Sequence, residues 1–172
     1  MKAKDWYNII FRSYDTLYKD EQIQKVNFII STFRKYINSK LENGLDYGCG
    51  TGFSIRIIKE FCNKTFAYDI SENMVKIAKK KHPEVIYIDR LTEKYNEFFD
   101  LISCITVLQD SENPKEDINN IYRILKPRGY IIISVLKRSN SREYWKSLLN
   151  DKFEILLEEE EKKDYILIGK KL

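Results

Sequence analysis

LDYGCGTG, residues 45–52, places glycines at positions 48, 50 and 52, directly after an apolar, an acidic and an aromatic residue. Glycine lets a chain turn sharply and lets the backbone approach a ligand closely, as in the loop between a strand and a helix. The spacing is Gly-x-Gly-x-Gly rather than the Gly-x-Gly-x-x-Gly of dinucleotide sites, and Asp46 stands two positions before Gly48. A carboxylate there repels a pyrophosphate and attracts an ammonium group. The stretch therefore predicts a loop for a cationic ligand, with a tight turn that binds nothing as the alternative.

Around this loop, short apolar runs alternate with amphipathic segments. We expect strands over residues 44–47, 64–69, 85–89, 99–105 and 130–136, and helices over residues 53–61, 72–81 and 114–125. Such alternation predicts a parallel, right-handed, three-layer α/β sheet. A short helix over residues 144–149 precedes two further apolar strands, 153–157 and 165–168, which flank an acidic turn and predict a closing antiparallel hairpin.

Composition excludes several classes of protein. The N-terminal residues lack the apolar run of a signal peptide, and no stretch reaches the roughly 20 apolar residues of a membrane span. Three cysteines without metal-like spacing and a single histidine, His82, leave little material for a metal site. We therefore expect a cytoplasmic, metal-free protein that does not bind membranes. A net charge of +4 fits solubility and leaves a nucleic-acid partner open.

Carboxylates also end the second and third predicted strands. Asp69 follows the second strand and Asp89 closes the third. A carboxylate after the second strand of such a sheet can accept both hydroxyl groups of a ribose. Asp89 could accept the amino group of an adenine, and for each residue a plain strand or turn position is the alternative.

These motifs together resemble the class I S-adenosylmethionine-dependent methyltransferases of the small type 11 kind. The glycine stretch is followed, in order and at the right distances, by YDISxxMxxxA (68–78), FDLIS (99–103) and LKPRG (125–129). The resemblance covers residues 44 to about 135. It implies a Rossmann-like sheet of seven strands, mostly parallel and closed by the C-terminal hairpin, and S-adenosylmethionine as methyl donor.

The resemblance also assigns site residues. It implies that Asp46, Gly48 and Gly50 hold the methionine part of the donor, that Asp69 and Ile70 hold the ribose and adenine, and that Asp89 takes the adenine amino group. Met74 would pack near the adenine, with an ordinary core position as the alternative. The remaining candidate donor-binding residues are Tyr14, Cys49, Arg90 and Cys104, of which Cys104 also fits a buried strand position.

The segment after the fourth strand departs from the family. Gln109 and Asp110 stand where many relatives have a histidine pair, so no histidine can be assigned as a catalytic base. Methyl transfer from a sulfonium is an in-line displacement that relies mainly on positioning and exclusion of water. The candidate catalytic residues are therefore Gln109, Asp110 and Tyr14, the last from a segment, with Tyr18, that resembles the lid of related enzymes.

The substrate is less determined by the sequence than the donor. Lys137, Arg138 and Arg142 follow the fifth strand, where they suit an acidic or phosphate-bearing acceptor or form a solvated loop. The expected acceptor is a small molecule; an RNA or protein acceptor, or a catalytically silent donor-binding partner protein, is the alternative.

The chain length favours one domain. We expect an N-terminal helical cap over residues 1–43, made of one or two amphipathic helices that end near Asn43 and Gly44. The donor-binding core would then span residues 44–136, and the last helix and the hairpin would span residues 137–172.

Overall fold

The computed structural model of the chain describes residues 14–172, and the side chains from Tyr18 onward. Helix α1 (Tyr14–Phe33) opens the described part and is followed by strand β1 (Leu41–Tyr47). From there helices and strands alternate as predicted. The elements in chain order are α2 (Ile55–Phe61), β2 (Cys62–Tyr68), α3 (Glu72–Lys81), β3 (Ile86–Tyr87), β4 (Phe99–Ile105), α4 (Pro114–Ile124), β5 (Leu125–Leu136), α5 (Arg142–Ser147), β6 (Phe153–Glu161) and β7 (Asp164–Lys171).

The strands of the described residues form one sheet of seven in the order β3-β2-β1-β4-β5-β7-β6. Strands β1 to β5 are parallel, and β7 runs antiparallel to both β5 and β6, which confirms the predicted hairpin. Because β7 is antiparallel, it begins at the edge where β5 ends, with Asp164 opposite Leu136. The carboxyl ends of the parallel strands and the start of β7 therefore share one edge of the sheet.

Apolar faces of the helices cover both sides of the sheet. On one side α1 packs beside α2, where the rings of Phe33 and Phe61 meet edge to face at 4.9 Å. On the other side α4 buries Ile118, Ile121 and Ile124, which recur at intervals of three residues on one helix face. This arrangement confirms the predicted three-layer α/β architecture.

Several strand boundaries differ from the predicted ones: backbone pairing lengthens β5 and β6 past their apolar runs, whereas β3 is shorter than predicted. Strand β5 begins at Leu125 rather than at residue 130, while β3 is reduced to Ile86–Tyr87. The acidic residues 158–161, predicted as a turn, form the second half of β6. Cations of α5 compensate part of this negative charge: Arg142 and Lys146 lie 2.9 and 2.7 Å from the carboxylate of Glu158.

The predicted helical cap also ends earlier in the chain than expected. It ends at Phe33, and after a 3-10 turn over Arg34–Tyr36 the chain already enters β1 at Leu41. The first part of the predicted cap, with Trp6 and Ile9, lies outside the described residues. None of the helices in the described range has the length and apolar character needed to cross a membrane.

Candidate donor-binding site

A cavity of about 600 Å³ lies at the carboxyl ends of β1, β2 and β4. This volume falls within the range of small-molecule sites. The strand order reverses between β1 and β4, which is the position where open α/β sheets bind their ligands. The cavity is lined by Tyr47, Gly48, Gly50, Tyr68, Asp69, Ile70, Met74, Ile105, Thr106, Val107, Asp110, Ser111, Glu112, Asn113, Glu116, Asp117 and Asn120.

Backbone hydrogen bonds tie the glycine loop to β2. The N–H groups of Gly48 and Cys49 both donate to the carbonyl oxygen of Tyr68, at 2.7 and 3.0 Å. Gly48 and Gly50 have φ angles of 78° and 52°, in the left-handed region that disfavours other residues. A Cβ on Gly48 would lie 2.4 Å from the side chain of Val107, whereas a Cβ on Gly50 would meet no heavy atom within 4 Å. The two glycines are therefore required for different reasons.

We expect Gly48→Ala and Gly50→Ala to differ clearly in stability. Gly50→Ala adds only backbone strain and should lower the free energy of unfolding by about 1 kcal/mol. Gly48→Ala adds the clash with Val107 as well and should lower it by about 3 kcal/mol. Urea denaturation measures both values. Adding Val107→Ala to Gly48→Ala should recover part of the loss, and equal losses for the two single variants would contradict the clash.

Asp46 lies behind the loop. It is fully buried, and its two carboxylate oxygens accept hydrogen bonds from Ser54 Oγ at 2.6 Å and Ser103 Oγ at 2.7 Å. Burial raises the pKa of Asp46 to about 6, although the serine donors act in the opposite direction. Asp46 is absent from the cavity lining, so its contact with the ammonium group of a donor stays a prediction. What the structure shows is a carboxylate that joins β1 to β4 and to the residue preceding α2.

Asp69, by contrast, lines the cavity. Its Oδ2 accepts the N–H of Gly50 and its Oδ1 accepts the N–H of Ser71, each at 2.8 Å. Burial raises the pKa of Asp69, and these backbone donors oppose the shift. Each carboxylate oxygen has a further lone pair, so Asp69 can hold the glycine loop and still accept ligand hydroxyls.

The other candidate donor-binding residues fall into two groups. Ile70, half exposed, and Met74, almost fully buried, both line the cavity as predicted positions for an adenine. The residues that lie outside the cavity lining are the buried Cys49 and Cys104 and the exposed Asp89 and Arg90. Asp89 and Arg90 both follow β3, which ends at Tyr87. The side chain of Tyr14 lies outside the described ones, and the exposed Tyr18 is not part of the lining.

Of the two candidate catalytic residues after β4, only Asp110 lines the cavity. Gln109 Nε2 donates to the carbonyl oxygen of Thr106 at 2.8 Å and to Asp110 Oδ2 at 3.2 Å. The amide of Gln109 therefore braces the turn that carries Asp110. Gln109 therefore has a structural role in addition to the catalytic role predicted for it.

The first turns of α4 form a wall that the sequence analysis missed. Asp117 accepts a hydrogen bond from the hydroxyl of Tyr47 at 2.5 Å and another from Ser111 Oγ. From the sequence, residues 114–125 were predicted only as a helix that begins at a proline. Carboxylates in a first helical turn usually stabilise the helix dipole, so only their place at the ligand edge would have marked Glu116 and Asp117 as site residues.

The lining of the cavity is acidic. Five carboxylates face or border it, and the lining residues among the described ones include no lysine or arginine; the acids are Asp69, Asp110, Glu112, Glu116 and Asp117. A donor that carries a sulfonium and an ammonium group is attracted to such a wall. A phosphate-bearing molecule is repelled by it.

For the basic segment after β5, the structure favours the solvated loop over a site for an acidic acceptor. Lys137 lies 3.0 Å from Glu160, and Arg142 lies 2.9 Å from Glu158. Lys137, Arg138 and Arg142 are all absent from the cavity lining. Lys137 and Arg142 pair with β6 because the hairpin brings its glutamates to the same edge.

The sheet order, the glycine loop after β1 and the carboxylate after β2 define the class I S-adenosylmethionine-dependent methyltransferases. The family model described as a methyltransferase domain matches residues 18–160. The chain belongs to this family, which confirms the resemblance and the donor predicted from the sequence. The residues present fit this donor, because the open space at Gly50, the acceptor oxygens of Asp69 and the acidic wall meet in one cavity.

Individual relatives extend the comparison. The chain is 30% identical over 159 residues to an uncharacterized protein of Methanocaldococcus jannaschii, which covers 89% of this chain and 59% of the relative. It is 31% identical over 149 residues to malonyl-[acyl-carrier protein] O-methyltransferase 2 of Ilyobacter polytropus, covering 70% and 58%. The magnesium protoporphyrin IX methyltransferase of Synechocystis PCC 6803, solved with bound S-adenosylmethionine, shares the fold with a TM-score of 0.77 at 20% identity, covering 98% and 95%. The chain thus spans about three-fifths of the length of the Methanocaldococcus jannaschii and Ilyobacter polytropus proteins.

Proposed function

We propose that the chain transfers a methyl group from S-adenosylmethionine to a small-molecule acceptor. The observation that carries this proposal is a single cavity of about 600 Å³ that joins the glycine loop to the segment after β4. Such a volume suits a donor together with a small acceptor better than an extended polymer. The fold relative named for magnesium protoporphyrin IX adds support, because that acceptor is a small molecule.

In this proposal the cavity residues act mainly by positioning. Gly48 and Gly50 let the backbone approach the methionine part of the donor, Asp69 accepts its ribose hydroxyls, and Ile70 and Met74 contact its adenine. The acceptor atom attacks the methyl carbon in line with the bond to sulfur, that bond breaks, and S-adenosylhomocysteine leaves. Alignment of the two reactants and exclusion of water lower the barrier to this displacement.

A hydroxyl or amine acceptor also releases a proton. Asp110 is the proposed proton acceptor, since it lines the cavity on the segment after β4 and Gln109 holds its carboxylate at 3.2 Å. A general base must lie within hydrogen-bond reach of the proton that it removes. Tyr14 stays a candidate that the described side chains do not include.

An RNA acceptor is the main alternative, and the acidic lining of the cavity disfavours it. Nucleic-acid binding depends on lysine and arginine contacts to phosphates. The lining contributed by the described residues offers carboxylates instead. The remaining alternatives are a protein acceptor and a donor-binding protein without catalytic activity. The assay below distinguishes both from the proposed function.

A transfer assay with S-adenosylmethionine labelled in its methyl group tests the proposal. Purified protein is incubated with a cell extract that is then fractionated into RNA, protein and small molecules. We expect label in the small-molecule fraction, and its loss with Asp69→Ala as the site-directed control. Label confined to RNA or protein would overturn the proposed acceptor class. Donor binding without transfer to any fraction would instead indicate the silent binding protein.

A further inference from the structure

A buried lysine connects α1 to the ligand edge of the sheet. Lys25 has a side chain only 3% exposed, and its Nζ lies 2.9 Å from Oδ1 of Asp164, whose side chain is equally buried. Asp164 begins β7, which starts at the carboxyl ends of the parallel strands. A buried ammonium group is costly unless it is paired and hydrogen-bonded, so this lysine is held in a defined place.

The same ammonium group donates to Thr106 Oγ1 at 2.7 Å, across 81 residues of sequence. Thr106 directly follows β4, lines the cavity and has a φ of 59°. A β-branched residue in this left-handed region is strained and persists only where surrounding contacts hold it. Those contacts are the bond from Lys25 and two contacts with Ser134, from the Thr106 N–H to the Ser134 carbonyl at 2.9 Å and between the two hydroxyls at 3.2 Å.

The conformation of Thr106 sets the turn that follows it. Its carbonyl oxygen accepts the side-chain amide of Gln109, which in turn contacts Asp110. The N–H of Asp110 donates to Val107 and closes the turn at 3.1 Å. A change at Thr106 is therefore expected to displace Gln109 and, with it, Asp110, the proposed proton acceptor.

We infer that Lys25 is a positioning residue of the acceptor side of the site: it holds Thr106 in the left-handed conformation from which Gln109 and Asp110 are placed. This inference rests on the proposed function of the cavity. Lys25 contacts neither donor nor acceptor in this role. It acts through Thr106, from a helix that precedes the glycine loop in the chain.

Amide hydrogen exchange followed by NMR tests the inference without any acceptor. The variant is Lys25→Met combined with Asp164→Asn, which removes the lysine without leaving an unpaired buried carboxylate. We expect exchange at the hydrogen-bonded amides of Thr106, Asp110 and Ser111 to rise about tenfold relative to the amides of β1, since a hydrogen bond to a charged group is lost. Unchanged exchange at these amides, or an equal rise in β1, would overturn the inference.

A matched control removes the lysine next to Asp164, which lies in the turn between β6 and β7 and also pairs with α1. Lys163 pairs with Glu21 of α1 at 2.7 Å, but it is 71% exposed and far less constrained by burial. Lys163→Met should leave amide exchange at Thr106 and Asp110 unchanged. A rise as large as that of the Lys25 variant would show that any loosening of α1 has the same effect. That result would overturn a specific role of Lys25.

A second pair of variants decides the question if the double variant does not fold. Thr106→Ser keeps the hydroxyl that accepts from Lys25 and should leave exchange in the turn at the wild-type level. Thr106→Val keeps the branched shape without the acceptor and should raise it about tenfold. Equal exchange in the two variants would overturn the inference. Because exchange does not depend on turnover, this result is separate from a failure of methyl transfer.

Discussion

Replacing Asp69 by alanine is expected to raise the Kd for S-adenosylmethionine by about a hundredfold or more, because two hydrogen bonds to a charged group are each worth about 1.5–3 kcal/mol. The loss has two sources. The ribose hydroxyls lose their proposed acceptor, and the glycine loop loses the bond from Gly50 N–H to Asp69 Oδ2. Isothermal titration calorimetry with the donor or with S-adenosylhomocysteine measures the change.

Two further variants separate these sources and control for charge. Asp69→Asn keeps an oxygen that can accept one backbone N–H but removes the charge, so its loss should lie between those of wild type and Asp69→Ala. Glu72→Ala removes an exposed carboxylate three residues away, outside the cavity lining, and should change Kd less than threefold, about the scale of one helix-dipole interaction. An unchanged Kd for Asp69→Ala would remove the ribose assignment.

The second large effect concerns the buried carboxyl of Asp46 and appears in the pH dependence of stability. Burial raises its pKa from 3.8 to about 6 in the folded chain. Between these values the folded state keeps a proton that the unfolded state has released, so raising the pH favours unfolding. The stability present below pH 3.8 is lost as the pH rises through about 6, and two pKa units correspond to about 3 kcal/mol.

Asp46→Asn isolates this contribution because it cannot titrate. Urea denaturation of wild type and variant from about pH 4 to about pH 8 should show the wild type losing about 3 kcal/mol relative to the variant. Parallel curves would contradict the raised pKa. Repeating the series with saturating S-adenosylhomocysteine tests the predicted ammonium contact. An amino group beside Asp46 would favour the ionised carboxylate and shrink the difference, whereas an unchanged difference would argue against that contact.

The glycine loop and its surroundings were largely predictable from the sequence. Alternating apolar runs predicted a parallel sheet with a closing hairpin, because a strand period and a helix period leave different patterns of buried residues. The order of elements places the carboxyl ends of the parallel strands on one edge, where Asp69 was expected, and the family resemblance added Ile70 and Met74. All three line the cavity, and their contacts with the donor stay predictions. The division at residues 43 and 136 stays a prediction.

Other features depended on contacts between distant parts of the chain. Asp46 was expected to hold the ammonium group of the donor, and this contact stays a prediction; the hydrogen bond that it accepts from Ser103, 57 residues away, was not foreseen. The cations of residues 137–142 fitted either an acidic acceptor or a solvated loop, and the returning hairpin supplies the glutamates that pair with Lys137 and Arg142. Neither outcome has a local signal, because a charged side chain looks the same in sequence whichever partner the fold brings to it.

What the sequence by itself determined is the loop 45–52 and its place between a strand and a helix, since these follow from local spacing and backbone freedom. The donor was predicted from the family resemblance that this loop and the three later motifs carry together. What only the tertiary structure decided is the character of the rest of the cavity. The acidic wall of α4 and the bond from Lys25 to Thr106 exist because folding brings residues far apart in sequence to one edge of the sheet. The loop thus follows from local sequence, whereas the surroundings of the proposed acceptor follow from the topology of the sheet.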